Sequence, residues 1–444
     1  MNLVHASAAS AMVRAAFQGL GFAITVLLAR ELGAEAFGAY TYTLVIIMLL
    51  ALPCRAGLPQ IVTRETATSM DPAHWPVQEG VWRWAIRLAL MISLLVVGIT
   101  AWVLSAFAGS FTTETRILLL CALPLIPAMV FAEINGGALR GAGYVIRGQI
   151  PESLIRPASQ LMLLAIMTMA IASGQFTALQ AIAVFVAAAC LAAVSSFALL
   201  RVARPYGARC VVPESRGREW LAAVVPISLI NSMHLINTQA DTFLVGLFVG
   251  TQEVGFYRVA VQVSLLVAFG LHATKLVVQP RFAALYRDQA FEALQWNVVW
   301  FARINLVFAC AVLIALVTAG QQLLPQLFGS GFGAAYLPLV VLGAGHVLGA
   351  LFGASGVLLV MAGFERQFVR FGVLAAVINV GLNIVLIPQF GMNGAALATA
   401  ATMPIPHMLG WWFARRHLHC NCSPLAMPLI GPATSRGGET NIDP

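Results

Sequence analysis

Runs of roughly twenty apolar residues, the length at which an α-helix crosses a hydrocarbon layer about 30 Å thick, recur from one end of this chain to the other. Sixty percent of the 444 residues are hydrophobic and 9% are charged, with a mean hydropathy of +0.87. Soluble domains carry about 25% charged residues, so this composition cannot clothe a water-facing surface. The runs are continuous rather than alternating, which argues against a membrane β-barrel. An all-α membrane protein is expected, with about twelve crossing helices near 11–29, 38–56, 84–107, 117–134, 150–172, 178–200, 219–247, 256–277, 298–324, 336–361, 367–388 and 392–413.

The segment from Leu32 to Tyr40, LGAEAFGAY, returns as VGTQEVGFY from Val249 to Tyr257, at an offset of 217 residues. The same offset carries Arg64 onto Arg281. A duplicated membrane unit points to a transporter built from two pseudo-symmetric six-helix bundles. The expected division is 1–205 for the first bundle and 206–413 for the second, with 414–444 a disordered tail rich in Pro, Gly and polar groups. The stretches 57–83 and 279–297 occupy matching places in the repeat, and each could form a short amphipathic helix at the membrane surface.

The basic residues orient the helices. With the N-terminus in the cytoplasm, the inner loops, the linker 201–218 and the tail hold 21 of the 25, with Arg14 near the same face, against Arg30, Arg116 and Arg258 outside. Both termini are therefore expected inside, and the net charge of +8 is a topological signal rather than a nucleic-acid one. No removable leader is read in Met1–Ser10. The seven cysteines are scattered, mostly in apolar runs, and do not form a disulfide framework.

Four stretches resemble the polysaccharide transporter family, the O-antigen and lipid-linked oligosaccharide flippases of the multidrug, oligosaccharidyl-lipid and polysaccharide exporter superfamily. They are Ala29–Gly33 running into Phe37-Gly38; Ala138–Gly143; Gln239–Gly246 with Glu253–Tyr257; and Asn379 to Asn383 with Leu386–Pro388, Gly391 and Gly394–Ala396. The resemblance covers about residues 10 to 415 and stops at the tail. It implies translocation of an undecaprenyl-diphosphate-linked sugar unit, for O-antigen or exopolysaccharide, across the inner membrane by alternating access. The implied partners are that lipid-linked glycan, membrane lipids and other polysaccharide assembly proteins; no nucleic acid or cofactor is expected, and the chain is expected to act as a monomer. Two other classes stay open: a multidrug cation antiporter of the same superfamily, and a membrane polysaccharide polymerase or ligase. Short outer loops speak against the last, and few membrane carboxylates beside several arginines speak against the antiporter.

Ionised groups inside a bilayer cost several kcal/mol unless paired or wet, which makes them site candidates. Asp241, midway along its helix, either couples ions or positions substrate, or else packs against neighbouring polar groups. Asn231, His234 and Asp241 are spaced to share one helical face and so to line a cavity or bond a neighbouring helix. Arg14 either holds the diphosphate in a bidentate fork or snorkels to the interface. Lys275, Arg303 and Asn305 form a candidate basic entrance, with Arg140 and Arg156 as similar candidates; orientation alone would also explain them. Glu133 joins Asp241 as a coupling-ion candidate, whereas Glu152 and Arg156, four apart, are expected to pair. His346 and the pair Asn379 and Asn383 are expected to pack by hydrogen bonding, and Gly345, Gly349 and Gly353 to let helices approach closely. His417, His419, Cys420 and Cys422 carry soft-metal chemistry at a spacing that matches no standard zinc pattern, so no metal site is assigned. No phosphate-cradling loop, nucleophile elbow or HExxH occurs, so no enzyme chemistry is expected, and transport must run on an ion gradient or on the substrate's own.

Overall fold

The computed structural model describes residues 3–55, 57–68, 74–107, 109, 112–170, 176–204, 207 and 211–426. The side chains of 3–11, 68, 229–230, 234, 272–273 and 276–277 are not among those described. Among the described residues the chain is helical with no strand, as hydrocarbon requires, because a helix satisfies its own backbone polar groups. Among the described residues nine helices are long and apolar enough to cross a membrane, or ten if Gly217–Met233 and Leu235–Phe248, bent by 43°, make one span. Two features hold this count below the twelve apolar runs. The first two runs count together only because their helices meet end to end at Gly33, whose φ of 71° and ψ of 176° are not helical, and the last is broken near Pro404 into pieces of 11 and 14 residues.

The first compact unit comprises residues 1–259 with 323–335. It holds α1 (Leu3–Leu50), α2 (Leu52–Arg55), α3 (Leu58–Thr68), α4 (Trp75–Ala106), α5 (Thr113–Ala122), α6 (Leu125–Gly141), α7 (Arg156–Ala170), α8 (Ala178–Ala203), α9 (Gly217–Phe248) and the start of α10 (Thr251–Arg287). Local sequence sets the boundaries. Thr177 and Gln180 form a reciprocal capping box that starts α8, and Pro124 separates α5 from α6. The core gathers where α6 packs on α3 and α8. There Trp82 Nε1 donates to Asn135 Oδ1 at 3.0 Å, and Asn135 Nδ2 donates to Ser196 Oγ at 3.1 Å.

The two copies of the repeat meet inside this unit. A Cβ on Gly38 would collide with the carbonyl of Thr251, and a Cβ on Gly255 with the carbonyl of Ala34. The offset of 217 maps Ala34 onto Thr251 and Gly38 onto Gly255, so the two contacts are one contact seen twice about a local two-fold. Gly33, at φ 71°, kinks α1, and its repeat mate Gly250, at φ 141°, separates α9 from α10. This seam binds the beginning of the second copy to the first. The unit accordingly runs to Val259, past the boundary at 205/206 expected from the repeat.

The second compact unit comprises residues 260–322 and 336–444. It holds the rest of α10, most of α11 (Phe291–Phe328), then α12 (Tyr336–Ala350), α13 (Ser355–Met361), α14 (Glu365–Phe390), α15 (Met392–Thr402) and α16 (Pro404–His417). Asn379 on α14 donates to Thr399 Oγ1 and Thr402 Oγ1 on α15, at 3.2 and 3.1 Å, and Asn383 donates to Asn379 Oδ1 at 3.0 Å, so the asparagine pair does bond a neighbouring helix. The stretch 279–297 does not form a separate surface helix: α10 continues through Pro280 to Arg287, and α11 begins at Phe291. In the matching stretch of the repeat, α3 does form, with Leu58, Ile61 and Val62 buried.

Residues 414–426 depart from the disordered tail that their composition suggests. Ala414, Leu418, Cys420 and Cys422 join the core of this unit beside Phe282, Val298, Leu358 and Leu359. Backbone–amide pairing accounts for this: Gln295 Nε2 donates to Asn421 O, and Asn421 N donates back to Gln295 Oε1, both at 2.7 Å. Trp411 Nε1 donates to Asn421 Oδ1 at 2.8 Å. Residues 427–444 lie outside the described residues.

Candidate functional site

A charged cluster sits within the first unit, where α2, α6 and the turn before α7 converge. Arg55 Nη2 lies 3.1 Å from Glu133 Oε1, with both side chains about a quarter exposed. Arg156 Nε donates to Glu152 Oε2 at 3.0 Å, so the ion pair expected from the four-residue spacing forms. Glu133 also lies within electrostatic reach of Glu152, Arg156 and Arg140. Arg140 Nη1 donates to Gly148 O at 3.2 Å, which fixes that guanidinium beside the group. Three guanidiniums face two carboxylates, leaving one positive charge over. A π-helical turn, Pro151–Ile155, carries Glu152 into place; such turns commonly mark functional positions in helices.

Aromatic rings wall the cluster. The Arg156 guanidinium lies 5.3 Å from the Phe185 ring and 6.0 Å from the Phe17 ring, both cation–π distances. Phe17 lies one helical turn from Arg14 on the same face of α1, and Arg14 is exposed. Deeper in the unit, Gln160 Nε2 donates to the buried Tyr40 Oη at 3.0 Å, and both Arg156 and Arg258 reach that phenol electrostatically.

The remaining candidates are divided between the two units. Asp241 is buried and accepts a hydrogen bond from Tyr257 Oη at 3.1 Å. Asn231, on the same helix, is exposed rather than buried. The side chain of His234 lies outside the described residues. In the second unit Lys275 is exposed on α10. Arg303 is occupied by the chain's own C-terminal segment: its Nε donates to Pro424 O and its Nη2 to Ala426 O, each at 2.9 Å. No cluster of three or more His, Cys, Asp or Glu suited to a metal occurs among the described residues.

The second unit also encloses a cavity of about 230 Å³ between α10, α11, α12 and α16. Asn305, His346 and His407 supply its polar groups, and Phe301, Gly349 and Met403 are among its apolar walls. Sequence reading singled out neither His407 nor the pairing role of Arg55. Arg55 and Glu133 are 78 positions apart, so only the fold joins them. His407 stands in a helix of ordinary composition, and its one distinguishing signal is a titratable ring in an otherwise apolar run.

Compared with known proteins, residues 3–286 match the family described as polysaccharide biosynthesis protein. A curated relative from Haloferax volcanii, named probable flippase AglR, is 24% identical over 408 residues, covering 88% of this chain and 79% of the relative. Among solved structures, an inward-facing multidrug resistance MATE family transporter of the MOP superfamily aligns with a TM-score of 0.74 at 16% identity, over 92% of this chain and 98% of that one. The lipid II flippase MurJ, in an inward closed conformation, aligns with a TM-score of 0.72 at 14% identity, over 93% and 87% of the two chains. At these identities the structural likeness establishes the fold.

Proposed function

Because the chain belongs to the polysaccharide biosynthesis protein family, we infer that this multi-pass membrane protein is a flippase that carries a lipid-linked oligosaccharide from one leaflet to the other. The observation that carries the reading is the basic cluster of the first unit, with Arg14 exposed on the adjoining face of α1. Guanidiniums match phosphate oxygens with a rigid fork, and a site with surplus positive charge attracts a diphosphate headgroup. The relative named as a probable flippase and the fold shared with a lipid II flippase support the same substrate class.

On this reading the substrate is an undecaprenyl-diphosphate-linked repeat unit, the membrane is the inner one, and the chain acts as a monomer beside other polysaccharide assembly proteins. It has no chemical step. The chain crosses twelve times with both termini in the cytoplasm, the halves 1–205 and 206–413 are duplicated bundles, and transport proceeds by alternating access. Arg14 in the first unit and Lys275 in the second are the cations open to the headgroup and Asn231 and His234 line its path, whereas Arg303 is held by Pro424 and Ala426, and Glu133 and Asp241 by Arg55 and Tyr257.

The multidrug antiporter reading shares the fold, but a cation site needs a carboxylate that is not already engaged. Glu79, Glu133 and Glu152 each hold an arginine, and Asp241 holds Tyr257. Deleting the gene and locating the lipid-linked repeat units tests the choice. Stranding of those units in the inner leaflet is expected; an unchanged distribution together with altered dye efflux would favour the antiporter.

A further inference from the structure

The cavity inside the second unit presents hydrogen-bonding side chains without a carboxylate. Of its lining residues, Asn305, His346 and His407 are polar and none is acidic. The His407 Nδ1 is buried and has no hydrogen-bond partner. A buried imidazole nitrogen with no protein partner is open to bonding by a group that enters the cavity it lines. Asn305 is buried and has capacity to spare. Its Nδ2 donates to Phe301 O at 2.8 Å, leaving a second N–H. Its Oδ1 lies 3.3 Å from Thr274 Oγ1, but that hydroxyl has one proton and Gly270 O, at 2.6 Å, competes for it.

The charges facing His407 are few. From α10, Lys275 lies within electrostatic reach of the ring. From α11, the basic residue nearest Asn305 in sequence is Arg303, whose guanidinium is engaged with Pro424 and Ala426. From α12, His346 lines the same space. From α14, Phe368 stands against the ring at 6.1 Å, while Glu365, Arg366 and Arg370 are exposed. Helices α13 and α15 carry no titratable side chain, and Arg415, Arg416 and His417 of α16 itself are exposed. An imidazolium at His407 would therefore face an ammonium with no compensating carboxylate. An entering anion supplies that compensation, and apolar walls strengthen its pull.

We propose that this cavity is a phosphoanion site in which His407 takes up a proton as the anion binds, with Lys275 at its edge and Asn305 and His346 as neutral hydrogen-bonding partners. The proton comes from water and sits on Nδ1, where it donates to an anionic oxygen. Gly349 keeps the space open: a Cβ there would meet only His407 Cδ2, at 3.6 Å, whereas a Cβ at Gly345 would strike the Ala400 backbone. The glycine row thus does two jobs, close packing at Gly345 and cavity volume at Gly349. The proposal rests on the flippase reading only for the identity of the natural anion.

The test uses the full chain in nanodiscs of zwitterionic lipid, with inorganic pyrophosphate titrated calorimetrically in buffers of different ionisation heat. Binding should take up about one proton and weaken by up to about tenfold per pH unit above the imidazole titration range. His407→Gln should bind more weakly and lose that proton uptake. Pyrophosphate's own titration is common to both proteins and cancels in the comparison. Lys275→Ala should weaken binding yet keep the uptake, and Gly349→Val, whose first carbon the packing accepts, should remove binding by filling the space. No binding by the parent protein, or full proton uptake in a folded His407→Gln protein, would overturn the proposal; should that variant fail to fold, unaltered binding in Gly349→Val overturns it instead. Undecaprenyl diphosphate added to the bilayer separates two sources, both consistent with the site: displaced pyrophosphate assigns it to a lipid headgroup, and undisplaced pyrophosphate to a soluble phosphate. Intact pyrophosphate binding alongside unchanged leaflet distribution in the deletion strain would remove the flippase reading and leave this site standing.

Discussion

Tyr257 and its repeat mate Tyr40 are both buried, and each hydroxyl is tied to a polar partner, Asp241 for one and Gln160 for the other. The rings are repeat mates but their partners are not: the offset carries Gln160 onto Val377 and Ile24 onto Asp241. Tyr257→Phe removes the donor to a buried carboxylate and should cost roughly 1–2 kcal/mol, read as a lower midpoint in thermal unfolding of the purified protein. An unchanged midpoint would mean that Asp241 is held elsewhere. At Arg14 the expectation is functional: the side chain is exposed, so Arg14→Ala should leave the amount of protein in the membrane unchanged while lowering transport. Local ionic chemistry was readable from the chain, because Glu152 and Arg156 stand one turn apart. The Arg55–Glu133 pair was not, since no periodicity links α2 to α6, and neither was the capture of Arg303 by Pro424 and Ala426. A reading of Arg303 as an open anion contact could not anticipate two backbone carbonyls already in its fork.

Among elements, the seam between the two repeat copies explains why the glycines recur. Both Gly38 and Gly255 sit where a methyl group would meet a main-chain carbonyl. Gly38→Ala and Gly255→Ala should therefore each destabilise by about 1–3 kcal/mol, and by similar amounts because the contacts are symmetry mates. Markedly unequal losses in a denaturation series would argue against the local two-fold. The repeat itself was legible as letters at a fixed offset, but the contact between its copies was not, because sequence self-similarity does not say which copies touch. The C-terminal strap was misjudged for a related reason: its composition is polar, yet its amides find partners on α11 and α16, and its two thiols are buried. Hydrogen bonding to Cys420 and burial hold the Cys422 thiol well above the ordinary range. A thiol raised in the folded state contributes stability below its unfolded titration, near pH 8.5, and loses it as pH rises toward the folded value. Maleimide should consequently label Cys422 slowly in the native protein near neutral pH and rapidly after denaturation, with mass mapping of the labelled peptide as the readout. Fast native labelling would show that the strap does not stay docked.

For the whole molecule, the broad class was the most legible property, because twenty-residue apolar runs with 9% charged residues leave few alternatives. The charge asymmetry makes a further prediction, that the segments carrying Arg64, Arg147 and Arg281 face the cytoplasm. Single cysteines placed there should react with a membrane-impermeant reagent only in inverted vesicles, and a cysteine at Glu35 or Gln252 only in right-side-out ones; the reverse pattern would refute the orientation. The central claim is movement of a lipid-linked glycan, and its most direct measurement is leaflet exchange in proteoliposomes containing the full chain and a fluorescent undecaprenyl-diphosphate oligosaccharide. The parent protein should equilibrate the label between leaflets, and Arg14→Ala should slow it by roughly tenfold or more if a charge-assisted phosphate contact is lost. Exchange no faster than in protein-free vesicles would contradict the account.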